Sequence, residues 1–140
     1  MLLQFHFKDT AIYISKRKLL KLFIANIFQK EGVIVQSMEY IFCTDSYLLN
    51  INQAFLNHDD YTDIITFNLA DSDEPIIGEI YISVDRVREN AKKFETTLTQ
   101  EIHRVIFHGA LHLCGYKDKS NSQRRIMRSM EDKYLGLYFL

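Results

Sequence analysis

Two histidines, a glycine and an aspartate lie close together in an otherwise apolar stretch, HGALHLCGYKD, at residues 108–118. On a helix, His108 and His112 would lie one above the other, so their imidazoles could reach a common point. Gly115 would let the chain turn sharply, and Asp118 could return to the same point. Two imidazoles and a carboxylate suit a divalent ion, and three protein ligands leave the fourth tetrahedral position for water, as in catalytic zinc sites. The sequence therefore predicts a metal site.

The alternative for this histidine pair is a structural one. Two histidines at this spacing on a half-buried helix are, by themselves, more often hydrogen-bonded core residues than metal ligands. The glycine turn and the carboxylate at fixed offsets favour the metal. The other histidines have no such neighbours, because His6 falls in a predicted strand, His58 in a loop and His103 on a different face of the helix. We expect structural or solvent-exposed roles for these three.

The spacing HxxxHxxGxxD also matches one form of a zinc-protease signature, in which a glutamate after the first histidine acts as general base. The corresponding residue here is Gly109. Glycine cannot accept a proton, and inside a helix it is about 1 kcal/mol less favourable than alanine. A peptidase would need a base from outside the motif, so the sequence argues against peptidase activity.

The length and the composition predict one globular domain, residues 1–140. The chain has 140 residues, of which 47% are apolar and 25% charged, and its net charge is −1. This length suits a single core, and the balanced charge means that any nucleic acid would have to bind to a local patch. The two cysteines are far apart, which argues against a disulfide framework. The sequence shows no signal peptide and no apolar run of about 18 residues, so the expected location is the cytoplasm.

Hydrophobic periodicity predicts the elements that position the motif. The opening is expected to be β-α-β, with strands at 2–7 and 33–43 and a helix between a possible cap at Ser15 and a stop at Gly32. The remaining elements are predicted as a helix from Asp45 to Leu56, a hairpin at 62–69 and 78–84, and helices at 85–94, at 97–115 and from Ser120 or Ser122 onward. The fold class is therefore α+β, a small mixed sheet of about four strands packed with about five helices, one of them a zincin-like metal helix.

A group of cations follows the motif in the segment GYKDKSNSQRRIMR, residues 115–128. Its members are Lys117, Lys119, Arg124, Arg125 and Arg128. If the protein binds a nucleic acid, we expect Lys117, Lys119, Arg124 and Arg125 to contact its phosphates beside Asp118. The alternative, equally compatible with the sequence, is an ordinary charged face of the last helix.

The stretch 108–118 resembles the HGxLHLxGYDH signature of the YbeY family of metal-dependent endoribonucleases, also called rRNA maturation factors. Seven residues stand where this family has them: His108, Gly109, Leu111, His112, Leu113, Gly115 and Tyr116. The segment DDYTDIITF resembles the family's DxPTDVLSF through Asp59, Thr62, Asp63 and Phe67. IIGEIYIS likewise resembles LGDIVIS, so the similarity covers essentially the whole chain.

The sequence departs from the family pattern at several positions. Asp118 stands in place of the family's third histidine, Lys117 in place of an aspartate and Tyr61 in place of a proline. Leu56 aligns with an arginine thought to be functional. The resemblance thus implies a metal site with one altered ligand, but it does not supply the arginine. A carboxylate ligand would weaken the Lewis acidity of the ion and widen the choice from zinc to iron or manganese.

The resemblance implies a cytoplasmic hydrolase that cuts RNA in ribosomal RNA maturation and ribosome quality control. The implied cofactor is zinc or another divalent ion, and the implied partners are ribosomal RNA and small-subunit components, with neither membrane nor DNA. No general base can be assigned, since Glu101 is more simply a solvated or supporting carboxylate. The competing hypothesis is a non-catalytic ribosome-assembly factor, favoured by Leu56, in which the metal fastens the loop after Gly115 to the helix.

Overall fold

The computed structural model describes residues 1–56 and 62–140, which form a four-stranded sheet and five helices. The strands are β1 (Leu2–Lys8), β2 (Val35–Cys43), β3 (Ile64–Asn68) and β4 (Ile76–Ser83). The helices are α1 (Arg17–Lys30), α2 (Asp45–Leu56), α3 (Val84–Lys93), α4 (Leu98–Leu113) and α5 (Asn121–Tyr138). The predicted α+β class and the mixed sheet are confirmed.

The sheet has the strand order β1-β2-β4-β3. β1 and β4 both run parallel to β2, and β3 pairs antiparallel with β4 as the predicted hairpin. Side chains alternate between the two faces of each strand. On β2, Phe42 enters the main core, whereas Cys43 packs with Leu48 of α2 on the opposite face. The main core lies between the sheet and helices α1, α4 and α5.

The helix caps differ in part from the prediction. Ser15 does not cap α1; the N-cap is Lys16, in a left-handed conformation with φ 53° and no side-chain cap hydrogen bond. Thr97 caps α4 as expected, because its side chain accepts a hydrogen bond from the Gln100 backbone N–H. Of the two serines considered for α5, Ser120 is the cap. In residues 1–56 and 62–140, no helix is both long and apolar enough to span a membrane.

Gly109 lets helix α4 pack closely against the sheet. A Cβ atom on Gly109 would lie 2.9 Å from the Cδ1 atom of Ile80 and 3.0 Å from that of Ile64. The buried Tyr40 hydroxyl also donates a 2.9 Å hydrogen bond to the Ile106 carbonyl of α4. The close packing explains why the glutamate of the zinc-protease signature has no place here, since its side chain would collide with the sheet.

Gly109→Ala is expected to destabilise the fold by about 1 kcal/mol. The added methyl group overpacks the interface by about 1–3 kcal/mol, which exceeds the gain in helix propensity of about 1 kcal/mol. The matched control is Gly136→Ala in α5, where an added Cβ meets nothing within 4 Å, so it should stabilise the protein by about 0.5–1 kcal/mol. Urea unfolding of both variants measures the difference, and equal shifts in the same direction would contradict this account.

Candidate metal centre

The end of α4 turns the chain back toward its own last turn. Gly115 adopts φ +105°, a conformation that favours glycine. Its N–H donates to the His112 carbonyl over 3.0 Å, and the Tyr116 N–H donates to the Leu111 carbonyl over 3.1 Å. These two bonds form a Schellman motif, which closes a helix and reverses the chain. The predicted role of Gly115 is confirmed, and the reversal brings Asp118 to the last turn of α4.

The three predicted ligands converge. The Nε2 atoms of His108 and His112 each lie 3.3 Å from the same carboxylate oxygen, Oδ2 of Asp118. The two imidazoles meet edge to face with their centroids 4.5 Å apart. One ligand atom from each residue lies within 4.8 Å of the other two, close enough for all three to hold one metal ion.

The other ring nitrogen of each histidine fixes its tautomer. His108 Nδ1 lies 2.5 Å from Glu131 Oε2, and His112 Nδ1 lies 2.9 Å from the Tyr116 carbonyl oxygen. Because both of these oxygens accept hydrogen bonds, both Nδ1 atoms are donors and each neutral imidazole has a bare Nε2. Two bare nitrogens then face one carboxylate oxygen, an arrangement that a cation would stabilise. Such outer hydrogen bonds are characteristic of metal-binding histidines, so these residues fit a divalent ion.

Glu131 connects His108 to an ion-pair network formed with Arg104 and Asp132. Glu131 is 5% exposed, and its Oε1 atom accepts a 2.9 Å hydrogen bond from Arg104. Arg104 also donates a 2.7 Å hydrogen bond to Asp132. Burial lowers the pKa of His108, but the hydrogen bond to Glu131 and the surrounding carboxylates outweigh this effect, so the pKa of His108 is raised. The carboxylates that favour a positive charge on His108 would also favour a metal cation at this position.

The centre opens into a cleft of about 710 Å³. Its lining comes from α2, the end of α3, the start of β3, α4, α5 and the loop between α4 and α5. Asp63 and Glu101 line this cleft together with the three candidate ligands. Burial raises the pKa of Asp63, and the attraction of His108 opposes this increase. Burial also raises the pKa of Glu101. Asp63 immediately precedes β3, where the DDYTDIITF segment meets the cleft, whereas Asp59 and Tyr61 of that segment lie outside the described residues.

The cations predicted to bind RNA differ in their position relative to the cleft. Lys119 lines the cleft, and so does Arg128, whereas Lys117 and Arg125 are exposed residues outside its lining. Arg124 is already engaged, because its guanidinium donates to the carbonyls of Lys119, over 2.7 Å, and Asp118, over 3.4 Å. Arg124 therefore supports the loop that carries Asp118.

His103 is buried away from the metal centre. Its Nδ1 atom lies 2.7 Å from the Thr99 carbonyl oxygen, and its ring packs against Tyr138 and Phe139 with centroid distances of 5.3 and 4.9 Å. Its Nε2 atom is buried without a hydrogen-bond partner in the described structure. Burial lowers the pKa of His103 and outweighs the opposing hydrogen bond from its ring to Thr99. The expected structural role of His103 agrees with this environment.

The lowered pKa predicts that His103 destabilises the fold in acid. Below about pH 6.5 the unfolded chain takes up a proton on this residue more readily than the folded protein, so this contribution to stability falls as the pH falls. The raised pKa values of His108, Asp63 and Glu101 make the folded protein more stable as the pH falls. The contribution of His103 is therefore measured by comparing the unaltered chain with a variant that lacks this histidine. From about pH 7 to about pH 5, His103→Phe should lose less unfolding free energy than the unaltered chain; an equal or larger loss would contradict the prediction.

The sequence reasoning missed Glu131 and Arg104. Glu131 lies on the buried stripe of α5, with Met127, Tyr134 and Leu135. A glutamate on such a stripe is unusual unless it is paired. Its position among apolar residues was therefore the one sequence feature that could have indicated a buried partner. Nothing in the spacing between Glu131 and His108 could identify its partner, because the two residues are 23 positions apart and meet only when α5 packs on α4.

The chain is similar to known proteins over nearly its whole length. The family described as Endoribonuclease YbeY matches residues 4–138. Proteins named Endoribonuclease YbeY from Cytophaga hutchinsonii and Flavobacterium psychrophilum are 45% and 43% identical, covering 95% and 97% of this chain and 94% and 91% of their own. The solution structure of TM1509 from Thermotoga maritima superimposes with a TM-score of 0.64 at 29% identity, covering 96% of this chain and 89% of that one. The chain belongs to the endoribonuclease YbeY family.

Proposed function

We propose that this protein is a metal-dependent endoribonuclease that hydrolyses RNA phosphodiesters. His108, His112 and Asp118 are the proposed ligands, and zinc is the proposed ion, with iron or manganese as alternatives suited to two histidines and one carboxylate. The observation that carries the proposal is the convergence of two Nε2 atoms on one carboxylate oxygen in the lining of an open cleft. Membership of a family whose relatives are named endoribonucleases supports RNA as the substrate.

A divalent ion at this position would supply Lewis acidity to a phosphoryl oxygen. Residues of the chain would orient the ligands and handle the proton. Glu131 and the Tyr116 carbonyl orient the two imidazoles. The half-buried Asp63 lines the same cleft, where its carboxyl group can accept or hold a proton.

Cations near the ligands would bind the RNA backbone. We propose Lys117, Lys119, Arg124 and Arg125 for this role, as the sequence predicts, and the place of Lys119 on the cleft wall supports its part most directly. Arg124 would have to exchange its carbonyl contacts for a phosphate. Each phosphate contact that is lost should reduce the salt dependence of RNA affinity.

We propose that residues 1–140 act as one domain in the cytoplasm, in ribosomal RNA maturation and ribosome quality control. Ribosomal RNA and components of the small subunit are the proposed partners, and we expect neither a membrane nor a DNA partner. The names of the relatives support RNA as the substrate. The cytoplasmic location and the role in the ribosome are proposed in addition to what those names say.

The test is RNA cleavage by protein freed of contaminating nucleases. Cleavage should disappear when a chelator removes the metal and return when zinc or manganese is added. The control preparation is His112→Ala, purified identically, because a contaminating nuclease would survive this substitution. RNA binding without cleavage, in protein shown to hold one metal ion per chain, would instead support the non-catalytic assembly factor.

A further inference from the structure

An exposed aromatic ring lies on the wall of the cleft that holds the metal centre. Phe94 lines this cleft together with His108, His112 and Asp118. Phe94 is 56% exposed, and the Lys93 ammonium lies over its ring, 5.5 Å from the centroid. A large apolar ring that remains this open beside a polar site is available to a ligand.

The backbone holds Phe94 firmly in this position. Phe94 caps the end of α3, and its N–H donates a 2.9 Å hydrogen bond to the Asn90 carbonyl. Glu95 then adopts a left-handed conformation with φ 54°, and the Thr96 N–H donates to the Ala91 carbonyl over 2.9 Å. Thr97 follows at once as the cap of α4. The ring is therefore placed by the short connection that leads into the helix of the histidines.

We propose that Phe94 is a base-stacking platform, on which a nucleobase flanking the cleaved phosphodiester packs. This inference rests on the proposed function, because it takes RNA as the occupant of the cleft. Aromatic side chains stack with every base and contribute about 1–3 kcal/mol per base in single-strand recognition. Phe94 would hold one nucleotide while its neighbouring phosphate lies at the metal centre.

The cleft carries both carboxylates and cations, and the cation at the ring can pair with the phosphate of a nucleotide. The ammonium of Lys93 lies at the ring itself, and Lys119 and Arg128 line the same cleft. A nucleotide presents both a flat base for the ring and a phosphate for such cations. Leu56, 41% exposed on the same cleft, provides apolar surface but cannot supply an aromatic face.

The sequence offers a direct optical test, because the chain contains no tryptophan. Phe94→Trp places a single indole on the platform, and Tyr13→Trp places one at an exposed residue, 86% accessible, that does not line the cleft. The probe is a single-stranded RNA of about 12 nucleotides, within the site size of single-strand-binding surfaces. A matched RNA with abasic nucleotides keeps the phosphates and removes the bases. Chelator is present throughout, so that the RNA stays intact.

The expected result is quenching of Trp fluorescence in Phe94→Trp by the intact RNA, but not by the abasic RNA and not in Tyr13→Trp. By anisotropy, Phe94→Leu should bind the intact RNA about 5- to 150-fold more weakly, whereas Phe94→Tyr should bind within about twofold of the unaltered chain. A structural role would instead lower the thermal stability of Phe94→Leu and leave the intact and abasic RNAs equally affected.

The failure of this inference can be distinguished from failure of the proposed function. RNA binding without quenching, or equal affinity of Phe94→Leu and the unaltered chain, overturns the platform even if metal-dependent cleavage is found. Base-dependent quenching without any cleavage on metal addition retains the platform and overturns the nuclease.

Discussion

His112→Ala is expected to weaken metal binding by more than about 100-fold and to abolish RNA cleavage. Zinc-finger sites gain about 10–16 kcal/mol from about four ligands, so one ligand contributes about 3 kcal/mol, which is a loss in affinity of more than about 100-fold. The loss of activity should be greater, because the two remaining ligands no longer fix the ion relative to the cleft. Isothermal titration with zinc and a cleavage assay at saturating RNA measure the two effects.

The matched control for this prediction is His6→Ala. His6 is a half-exposed histidine on β1 that pairs with Glu39 over 3.4 Å, and it does not line the cleft. It should leave metal affinity and cleavage within about twofold of the unaltered chain, since surface pairs of this kind contribute at most about 1 kcal/mol to stability. Equal losses in both variants would mean that zinc binds histidines non-specifically.

Glu131→Gln is expected to weaken metal binding by about 10- to 100-fold, the usual effect of removing a partner of a metal-binding histidine. The amide cannot match the carboxylate as an acceptor for both His108 and Arg104, so the imidazole is less firmly oriented and less basic. Cleavage should fall at limiting metal and largely recover when metal is added in excess. Glu131 would thus act as a positioning residue, and its effect would appear mainly in the metal dependence of the rate.

Asp132→Asn is the control for Glu131→Gln. Asp132 also pairs with Arg104, over 2.7 Å, but its side chain is 58% exposed and it does not contact His108. It should leave metal affinity within about twofold of the unaltered chain, because an exposed pair contributes little. If Asp132→Asn weakened the metal as strongly as Glu131→Gln, general loss of the α4–α5 contact, and not the orientation of His108, would be the cause.

The parts of the site that are local in sequence could be predicted from it. The helical spacing of His108 and His112 and the turn at Gly115 depend on backbone geometry within a few residues, and the structure places Asp118 where that geometry requires. Gly109 was recognised as unable to serve as a base, but the reason for its presence needed the packing of α4 on β3 and β4. The packing of α4 on the sheet depends on residues that are distant in sequence, so no short sequence pattern predicts it.

The parts of the site that depend on tertiary packing could not be predicted. Glu131 reaches His108 across the α4–α5 interface, and Phe94 reaches the cleft because α3 ends beside α4. Likewise the sequence grouped Arg124 with the RNA-binding cations by proximity alone, whereas the structure shows its guanidinium bonded to the loop carbonyls. The cap of α1 was mispredicted for a different reason, because Lys16 adopts a left-handed conformation that its residue type does not favour.

The most direct test of the metal centre is a crystal structure of the zinc-loaded protein with anomalous scattering data collected at the zinc edge. One anomalous peak per chain is expected, about 2.0–2.2 Å from Nε2 of His108, Nε2 of His112 and a carboxylate oxygen of Asp118, with His108 Nδ1 still bonded to Glu131. A peak at other residues, or a fully occupied ion from which Asp118 is turned away, would contradict the account.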